Sequence, residues 1–376
     1  MADRLARLVV AAAALITVDR VRRLARFAAA EHRLPHARAS SVGESRSVTA
    51  VVPMRDEERH AQRCVKALLA SGDALREVVV VDDGSSDATR SELTRIADPR
   101  LRVLDATAPR PGECGKPAAC AHGSAQARGD WLWFVDADVV VAPDLLSRLL
   151  AAADERDADL VSAVGRLTRA GGATGWLLPA VGFAVARRHD PARVADATCS
   201  DVFAAGHCLL VRRDVYDSAG GHAAVAAEVV DDVALAQSVK RRGGRVLLVT
   251  AFDGFDVAMY DGTRSMWRGL LRTTSAVGRP GTAGFVLDVT AALVQLAPAT
   301  AVACVRSRTV RRVAGAVLSA QVVVDAGARA VARQSVRPAL LTPLADSVIV
   351  AMRLQAMVRR RRGGTVGWRG RPVVPD

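Results

Sequence analysis

Aromatic residues are scarce in this 376-residue chain, at 4% of the sequence, although hydrophobic residues overall reach 50%. The apolar content is therefore mostly alanine, valine and leucine, which suits helices, buried parallel strands or membrane segments. The six cysteines form no Cys-x-x-Cys pair, which indicates a reduced compartment and argues against a structural zinc site. The sequence has neither a Gly-x-Gly-x-x-Gly motif after the first predicted strand nor a P-loop, so dinucleotide-dependent redox chemistry is disfavoured.

Acidic residues are scarce in one part of the chain, the segment after Tyr260. There about 18 arginines face about 5 acids, while residues 46–260 are slightly acidic, so the net charge of +13 belongs to this tail. The tail lacks a pattern of aromatic residues interleaved with arginines, so a nucleic-acid partner is not expected. Anionic lipid headgroups explain the basic tail better.

The same tail contains three apolar segments, residues 285–305, 313–324 and 340–352. The first is long enough to span a bilayer, whereas the others fit tilted spans completed by flanking residues, interfacial helices or ordinary core helices. Asp288, Asp325 and Asp346 would be costly against lipid, so they either face a bundle interior or indicate partial insertion. Arginine clusters between and after the segments leave the number of spans open, because the positive-inside rule favours the cytoplasm for all of them.

The amino end contains a shorter apolar run, residues 8–18, which is followed by four arginines within residues 20–26. A cleaved signal peptide is one interpretation of this pattern, but no small-residue cleavage site follows the run. We therefore expect a short membrane anchor whose basic flank lies in the cytoplasm.

Between these ends the sequence alternates predicted strands and helices. The strands are expected at residues 48–53, 77–81, 100–104 and 131–135, and the helices at residues 58–69, 89–97, 117–127 and from Pro143 to about residue 153. This alternation predicts an α/β fold with a mostly parallel sheet and helices on both faces.

Two of the predicted strands end in acidic residues. Asp136 and Asp138 follow the strand at 131–135 with a spacing that points both side chains to one face of an extended segment. Asp82 and Asp83 follow the strand at 77–81. Because open α/β sheets bind ligands at the carboxyl ends of their strands, both acidic ends are expected near one crevice. There Asp136 and Asp138 could share a hard divalent cation, although each pair alone also fits solvated loop acids.

Several short motifs follow one another in order between residues 48 and 260. They are Val-Val-Pro-Met-Arg-Asp-Glu-Glu at 51–58, Val-Asp-Asp-Gly-Ser-Ser-Asp at 81–87, Gly-Lys-Pro-Ala-Ala at 115–119, Phe-Val-Asp-Ala-Asp at 134–138, Leu-Val-Arg-Arg-Asp-Val-Tyr-Asp-Ser-Ala-Gly-Gly-His at 210–222 and Glu-Val-Val-Asp-Asp-Val-Ala-Leu-Ala at 228–236. In order and spacing they resemble the family 2 glycosyltransferases of the GT-A fold. The resemblance implies an inverting, metal-dependent transfer of a sugar from a nucleotide sugar, with a UDP-sugar as the expected donor.

The resemblance also assigns roles to individual residues. Asp138, with Asp136 assisting, would bind Mg²⁺ or Mn²⁺ to neutralise the departing diphosphate. The nucleotide sugar would contact residues of the first four motifs: Pro53, Glu57, Asp82, Asp83, Lys116 and Asp136. Within this set, Glu57, Asp82 and Asp83 would hold the base and ribose, and Lys116 would lie near the pyrophosphate or the base.

Asp232 is the candidate general base for the acceptor hydroxyl. It precedes a predicted helix at 233–241, whose amino terminus would favour the ionised carboxylate, although a simple N-cap is the alternative. Asp231 stands where the family usually has Glu, so the role falls to one of these two adjacent acids. The resemblance also places His207 near the acceptor, although a lone histidine is more often structural. His222, which follows Gly220 and Gly221, contacts the acceptor or caps a loop. Trp176 and Phe183 fit either an apolar acceptor groove or a helical core.

A second resemblance concerns the tail. Residues 257–272 and 368–371 are similar to the tail of membrane-bound members that act on hopanoid or carotenoid-type lipids. The Gln-x-x-Arg-Trp motif of processive polysaccharide synthases is absent, so chain polymerisation is disfavoured.

These observations predict three regions and one function. Residues 1–45 form a membrane anchor and basic linker, residues 46–260 a GT-A catalytic domain, and residues 261–376 amphipathic and transmembrane helices with a basic tail. The expected activity is transfer of a sugar to a hydroxyl of a lipid or lipid-linked acceptor at the cell membrane, with the catalytic domain facing the cytoplasm. The alternatives are a polyprenyl-phosphate sugar transferase and a non-catalytic membrane scaffold that retains the fold.

Overall fold

The computed structural model describes residues 2–30, 32–34, 46–168, 172–186, 189–277, 281–361, 366–368 and 371–373. The chain forms two compact units. The α/β unit comprises Ala30–Thr168, Pro191–Met259 and Thr365–Asp376, and the helical unit comprises Met1–Ala29, Arg169–Asp190 and Tyr260–Gly364. The segment Arg169–Asp190 thus groups with the helices of the two chain ends, although the sequence around it belongs to the α/β unit.

The described strands lie in the α/β unit. They are β1 (His32–Arg33), β2 (Val48–Met54), β3 (Leu75–Asp82), β4 (Leu101–Asp105), β5 (Trp131–Val135), β6 (Val139–Val141), β7 (Leu160–Val164), β8 (Arg166–Leu167), β9 (Cys208–Arg212), β10 (Val246–Thr250), β11 (Phe255–Val257), β12 (Val366–Trp368) and β13 (Arg371–Val373). Strands β6, β11 and β8 form a small sheet, and β12 and β13 form an antiparallel pair.

The described helices occur in both units. They are α1 (Ala2–Ala30), α2 (Ala61–Leu69), α3 (Thr89–Thr94), α4 (Gly115–Gln126), α5 (Leu145–Glu155), α6 (Gly172–Ala186), α7 (Pro191–Ala195), α8 (Arg213–Ser218), α9 (Asp231–Arg241), α10 (Thr263–Val277), α11 (Gly281–Cys304), α12 (Arg308–Val331) and α13 (Thr342–Arg361), with 3₁₀ helices at His222–Val225 and Arg337–Leu341.

The main sheet has the strand order β1-β10-β7-β9-β5-β2-β3-β4. Strand β9 is antiparallel to both of its neighbours, β5 and β7, and the other described pairs in this sheet are parallel. The predicted mostly parallel α/β sheet is therefore confirmed. Because β9 runs in the opposite direction, its first residue lies at the edge where β5 ends: Cys208 pairs with Val135.

Helices cover both faces of this sheet, as predicted. Val78 and Val80 of β3 belong to the core cluster that includes α2 and α5, whereas Val79 and Val81 pack with Ala119 of α4 on the other face. These strands are buried on both faces, which explains their near-continuous valine runs.

Helix α4 lies unusually close to the sheet because of one glycine. A Cβ atom added at Gly123 would lie 2.7 Å from Val51 Cγ1 and 2.8 Å from Val81 Cγ2, so a larger residue would push the helix away. This close contact fixes the amino end of α4, which contains Lys116, relative to the ends of the strands.

Three helical segments of the described chain are long and apolar enough to cross a membrane: Ala283–Cys304, Arg308–Val331 and Arg337–Val358. They correspond to the three predicted apolar segments. Within the helical unit, α11 packs against α12 and α13, and α13 packs against α10. The predicted anchor at residues 8–18 lies within α1, a helix of 29 residues. Val10 and Ala13 of α1 pack with the apolar face of α11 and α12.

Candidate active site at the carboxyl edge of the sheet

Two carboxylates and one imidazole form the centre of the candidate site. Asp136 and Asp138 follow the buried strand β5, and His207 immediately precedes β9. The antiparallel pairing of these strands holds the residues together, and the backbone N–H of Asp136 donates to the carbonyl of His207 at 3.2 Å. One ligand atom from each of the three side chains lies within 4.8 Å of the other two.

These three residues fit a divalent cation. Asp138 Oδ1 is buried and has no hydrogen-bond partner among the residues that the structure describes. An unpartnered buried carboxylate oxygen is costly unless a proton or a cation compensates it. Carboxylate oxygens suit Mg²⁺ and Mn²⁺, and an imidazole nitrogen is compatible with Mn²⁺.

The carboxylate of Asp136 contacts two side chains, Lys116 and His207, so the two acids of the site have different roles. Its Oδ1 lies 2.7 Å from Nζ of Lys116, which comes from the first turn of α4. Its Oδ2 lies 3.3 Å from Nδ1 of His207. Asp138 is therefore the carboxylate with an unpaired oxygen that could bind a cation. Asp136 connects the cation site to Lys116.

The ionisation of these groups follows from their burial and mutual charges. Burial and the negative charge of Asp136 raise the pKa of Asp138 to about 6. Burial also opposes the ionised form of Asp136, but the positive charges of Lys116 and His207 outweigh it and lower the pKa of Asp136. For Lys116, burial is outweighed by Asp136 and Asp231, which raise the pKa of the ammonium group.

Two adjacent acids, Asp231 and Asp232, begin helix α9 beside the same lysine. Asp231 is buried, with its Oδ2 3.7 Å from Nε2 of the buried His222. Asp232 is only partly buried, and its Oδ1 accepts a hydrogen bond from the N–H of Val233 at 2.8 Å. Burial raises the pKa of Asp231 to about 6 and is the largest cause that raises the pKa of Asp232, while Lys116 opposes both shifts.

Gly206 lies against both Asp232 and Lys116, so it shows that Asp232 is close to the cluster of Asp136, Asp138 and His207. A Cβ atom at this position would lie 2.9 Å from Asp232 Oδ2 and 3.2 Å from Lys116 Nζ. The glycine preceding His207 is thus wedged between the candidate base and the lysine that pairs with Asp136. The structure therefore brings Asp136, Asp138, Lys116 and Asp232 into one site.

The loops after β2 and β3 form a second group at the same edge of the sheet. Asp82 Oδ1 accepts from the N–H of Ser85 at 3.0 Å, and the N–H of Asp83 donates to the Met54 carbonyl at 2.8 Å. Arg55 Nη1 donates to the Asp83 carbonyl at 2.7 Å and lies 3.6 Å from its carboxylate. These contacts hold the two loops side by side.

Pro53 and Glu57, the other two predicted nucleotide contacts, flank this loop pair. Pro53 lies beyond Val51, the last β2 residue that pairs with β5, so a residue without an N–H is tolerated there. The N–H of Glu57 donates to Thr89 Oγ1 at 2.7 Å and so ties the loop to α3.

The buried thiol of Cys64 in α2 lies between the two groups. Its Sγ donates to the Asp136 carbonyl at 3.6 Å. Burial is the largest cause that raises the pKa of this thiol, and the charges of Asp138, Asp136 and Glu57 raise it further. Cys64 therefore experiences the field of the cation cluster and of the loop pair together.

Four other residues were considered in the sequence: His207, His222, Trp176 and Phe183. His222 is buried against the rings of Phe134 and Tyr216 and has no open face toward an acceptor. Trp176 belongs to α6 in the helical unit, and the side chain of Phe183 lies outside the described residues. His207 joins the possible cation ligands, a role that the sequence did not indicate because the pairing of β9 with β5 leaves no local signal.

Comparison with known proteins places this site in a family. Residues 49–220 match the family described as Glycosyl transferase family 2. This match supports the predicted resemblance to the family 2 glycosyltransferases for these residues. That range contains all six predicted nucleotide-contacting positions, from Pro53 to Asp136, together with Asp138 and His207, whereas Asp231 and Asp232 lie beyond it.

Curated proteins are similar to this chain over part of its length. A succinoglycan biosynthesis protein, ExoO of Rhizobium meliloti, is 36% identical over 129 residues, which cover 32% of this chain and 36% of that protein. An undecaprenyl-phosphate 4-deoxy-4-formamido-L-arabinose transferase of Edwardsiella ictaluri is 32% identical over 112 residues, covering 29% of this chain and 34% of that one. The chain thus matches about a third of the length of each relative.

One solved structure is similar over nearly the whole chain. The mannosyltransferase PcManGT from Pyrobaculum calidifontis, solved with GDP-Man and Mn²⁺, superposes with a TM-score of 0.54 and 19% identity over 94% of this chain and 99% of that one. At this identity the likeness establishes the shared fold, and the predicted GT-A architecture is confirmed.

Proposed function

We propose that this protein transfers a sugar from a nucleoside diphosphate sugar to a hydroxyl of a lipid at the membrane, with inversion at the anomeric carbon. The observation that supports this most is the cluster of Asp136, Asp138 and His207, in which a buried Asp138 oxygen lacks a partner among the described residues. A bound divalent cation would supply the positive charge that a leaving diphosphate requires.

The chain supplies the remaining chemistry through its own side chains. In the proposed reaction, the acceptor oxygen bonds to the anomeric carbon as the bond from that carbon to the diphosphate oxygen breaks. Asp232 takes the hydroxyl proton as this happens. Because one displacement occurs on the face opposite the leaving group, the configuration inverts. Lys116, already paired with Asp136, adds positive charge on the side of the diphosphate.

We assign the base to Asp232 rather than to Asp231. Asp232 is the more exposed of the two, and a base must reach the acceptor hydroxyl within hydrogen-bond distance. Asp231 is 7% exposed and faces His222, so its carboxylate contributes charge beside Lys116 rather than direct contact.

The donor would bind between the two loop groups at the carboxyl edge. We propose that Pro53, Glu57, Asp82 and Asp83 contact the base and ribose, because they lie at the ends of β2 and β3 and in the paired loops that follow. UDP-sugars are the first donors to test. GDP-mannose is the second, because the mannosyltransferase of similar fold was solved with it.

The long apolar helices in the carboxyl-terminal part of the chain support a lipid acceptor. Three helices are long and apolar enough to cross a membrane, and the net charge of +13 suits an anionic surface. We propose that residues 46–260 form the catalytic domain on the cytoplasmic side, and that residues 1–45 and 261–376 attach it to the cell membrane. The narrower hopanoid or carotenoid-type acceptor is one class of lipid to include in assays.

The function is tested by sugar transfer with purified full-length protein, Mn²⁺, a panel of nucleotide sugars and extracted lipids. Asp138→Asn and Asp232→Asn should each lower kcat by about 100-fold or more, because they remove the cation ligand and the base. Asp105→Asn is the matched control, since Asp105 is an exposed acid that pairs with Arg90 at the end of β4. Undiminished turnover in both site variants would refute the assignment, and no transfer by any form would favour a scaffold.

A polyprenyl phosphate is the second candidate acceptor. It is favoured by the 32% identity to the undecaprenyl-phosphate transferase. A sugar on a phosphate is released by mild acid, whereas a sugar on an ordinary lipid hydroxyl is retained, so hydrolysis of the labelled product distinguishes the two acceptors.

A further inference from the structure

One face of helix α12 changes from apolar to polar while remaining buried. Its buried residues follow one another at intervals of three or four along the helix: Val310, Ala314, Val317, Gln321, Asp325 and Arg329. The first three pack with Val10 and Ala13 of α1. The last three are at most 8% exposed. Polar side chains inside a bundle of membrane-length helices are expensive, and they usually mark a function.

The charged groups of this face are compensated within the helical unit. Arg329 Nε donates to Asp325 Oδ2 at 2.6 Å, and its other nitrogens donate to the carbonyls of Gly175 and Trp176 at 3.0 and 2.8 Å. Thr342 Oγ1 donates to Asp325 Oδ2 at 2.8 Å. Arg20 of α1 pairs with Asp346 of α13. The polar face is therefore neutral overall.

The amides of Gln321 and Gln295 are the exception to this complete pairing. Gln321 Nε2 donates to Gln295 Oε1 at 2.7 Å. Gln321 Oε1 and Gln295 Nε2 are buried and have no hydrogen-bond partner among the described residues. Exchanging nitrogen and oxygen in both amides again leaves one donor and one acceptor unpaired. The pair therefore lacks one acceptor and one donor in either assignment.

A small pocket opens beside this pair. Gln321, which is 3% exposed, lines it together with Thr17 of α1 and Thr342 of α13, while Leu24 and Val324 supply apolar wall. Its volume of about 20 Å³ admits a group of the size of one hydroxyl. Of the two glutamines, Gln321 lines the pocket, so a hydroxyl there would donate to the unpaired Gln321 Oε1.

We propose that this pocket binds the hydroxyl of a neutral lipid. Ionised lipid headgroups are disfavoured because the charged residues of the pocket already have partners of opposite charge. The apolar side chains of Leu24 and Val324 form part of the pocket wall, and the lipid tail would extend along them. Lipid binding in this pocket does not depend on the proposed function. The further statement that the bound lipid is the sugar acceptor rests on that function.

Photocrosslinking tests binding separately from transfer. The probe is a diacylglycerol with a diazirine in one acyl chain, compared with the same lipid acetylated at its free hydroxyl. Full-length protein in detergent, including the transfer-deficient Asp232→Asn variant, should be labelled on α1 or α12 by the free-hydroxyl probe at least fivefold more than by the acetylated probe. Retained labelling in the Asp232→Asn variant keeps lipid binding distinguishable from the proposed catalysis.

The double variant Gln295→Leu/Gln321→Leu should lose this preference while remaining folded, because replacing both partners of a buried hydrogen bond by apolar groups is nearly neutral for stability. Thermal unfolding monitors its fold, and Ser319→Leu, a change on the exposed side of α12, is the matched control. Equal labelling by the free and acetylated probes, or an unchanged preference in a folded double variant, would show that the pocket holds only water and would overturn the proposal.

Discussion

His222 and Tyr216 bond to each other twice. The Tyr216 hydroxyl accepts from the backbone N–H of His222 at 2.9 Å, and the same hydroxyl lies 3.0 Å from Nδ1 of the His222 ring. Burial lowers the pKa of His222 to about 3, so the ring is neutral and Nδ1 can accept the phenol proton. The other ring nitrogen then carries its proton toward Asp231, 3.7 Å away.

Removing the Tyr216 hydroxyl should therefore destabilise the α/β unit. Tyr216→Phe leaves two buried groups of His222 without a partner, and we expect a loss of about 1–3 kcal/mol in the free energy of unfolding. Urea denaturation measures it. Ser124→Ala is the control variant. Ser124 Oγ lies 3.0 Å from the same hydroxyl, so this substitution removes one contact of Tyr216 and leaves both contacts with His222 intact. A loss in Tyr216→Phe no larger than in Ser124→Ala would contradict this account.

Catalysis should fall as the solution becomes acidic. Asp232 must be ionised to accept a proton, and burial raises its pKa above the ordinary carboxyl value. We expect kcat/KM to decline with falling pH beginning above the ordinary carboxyl range, with protonation of Asp231 near pH 6 contributing. Lys116→Met removes a positive charge that lowers both pKa values, so its acidic limb should move to higher pH. A wild-type limb at ordinary carboxyl values would exclude Asp232 as a base with a raised pKa.

Glu77 should stabilise the fold at neutral pH and lose this effect in acid. Its carboxylate is buried and accepts from Thr49 Oγ1 at 3.0 Å, the N–H of Arg128 at 2.7 Å and Arg102 at 2.9 Å. Burial opposes ionisation, but these hydrogen bonds outweigh it and lower the pKa of Glu77.

Because the folded pKa is lower than the unfolded value, the stabilisation is present above about pH 4.3 and disappears as pH falls through the folded value. Glu77→Gln should cost about 1–3 kcal/mol in the free energy of unfolding at pH 7, and less at pH 4. Urea denaturation at both values checks this. Glu155→Gln, an exposed change on α5, should have little effect at either pH. A cost for Glu77→Gln that is unchanged at pH 4 would contradict the prediction.

Mn²⁺ should stabilise the protein through Asp138 and His207. At a free concentration 100 times its Kd, a ligand that binds only the folded state adds about 2.7 kcal/mol to the free energy of unfolding. We expect Mn²⁺ to raise the Tm of the wild type and of Asp105→Asn, but not of Asp138→Asn, and to raise it less in His207→Ala. An equal rise in His207→Ala would remove this histidine from the ligand set.

The strand ends could be predicted from sequence because the signal is local. Buried parallel strands are continuous valine-rich runs, and each run stops at acids such as Asp82 or Asp136. Strand β5 was predicted with its observed bounds, Trp131–Val135, whereas helix α2 begins at Ala61 rather than residue 58. The observed start of α2 is later than the predicted one because the backbone N–H groups of Glu57 and Glu58 donate to side chains of the segment that contains Asp87 and Thr89.

Long-range pairing could not be predicted in the same way. Strand β9 enters the sheet between β5 and β7, antiparallel to both, and nothing within Cys208–Arg212 marks its neighbours. The position of His207 beside Asp136 depends on that pairing. The interior location of His222 likewise depends on packing with Phe134, a residue nearly ninety positions earlier.

The two-part face of α12 also restricts how its helices can slide. A shift of α12 by one turn would move Gln321 away from Gln295 and bring Asp325 toward an apolar layer, where its charge would be uncompensated. Several alternative alignments of an alanine- and valine-rich bundle would bury similar apolar area, so area alone selects none of them. The polar half supplies this selection, and the helical unit is therefore expected to adopt one register.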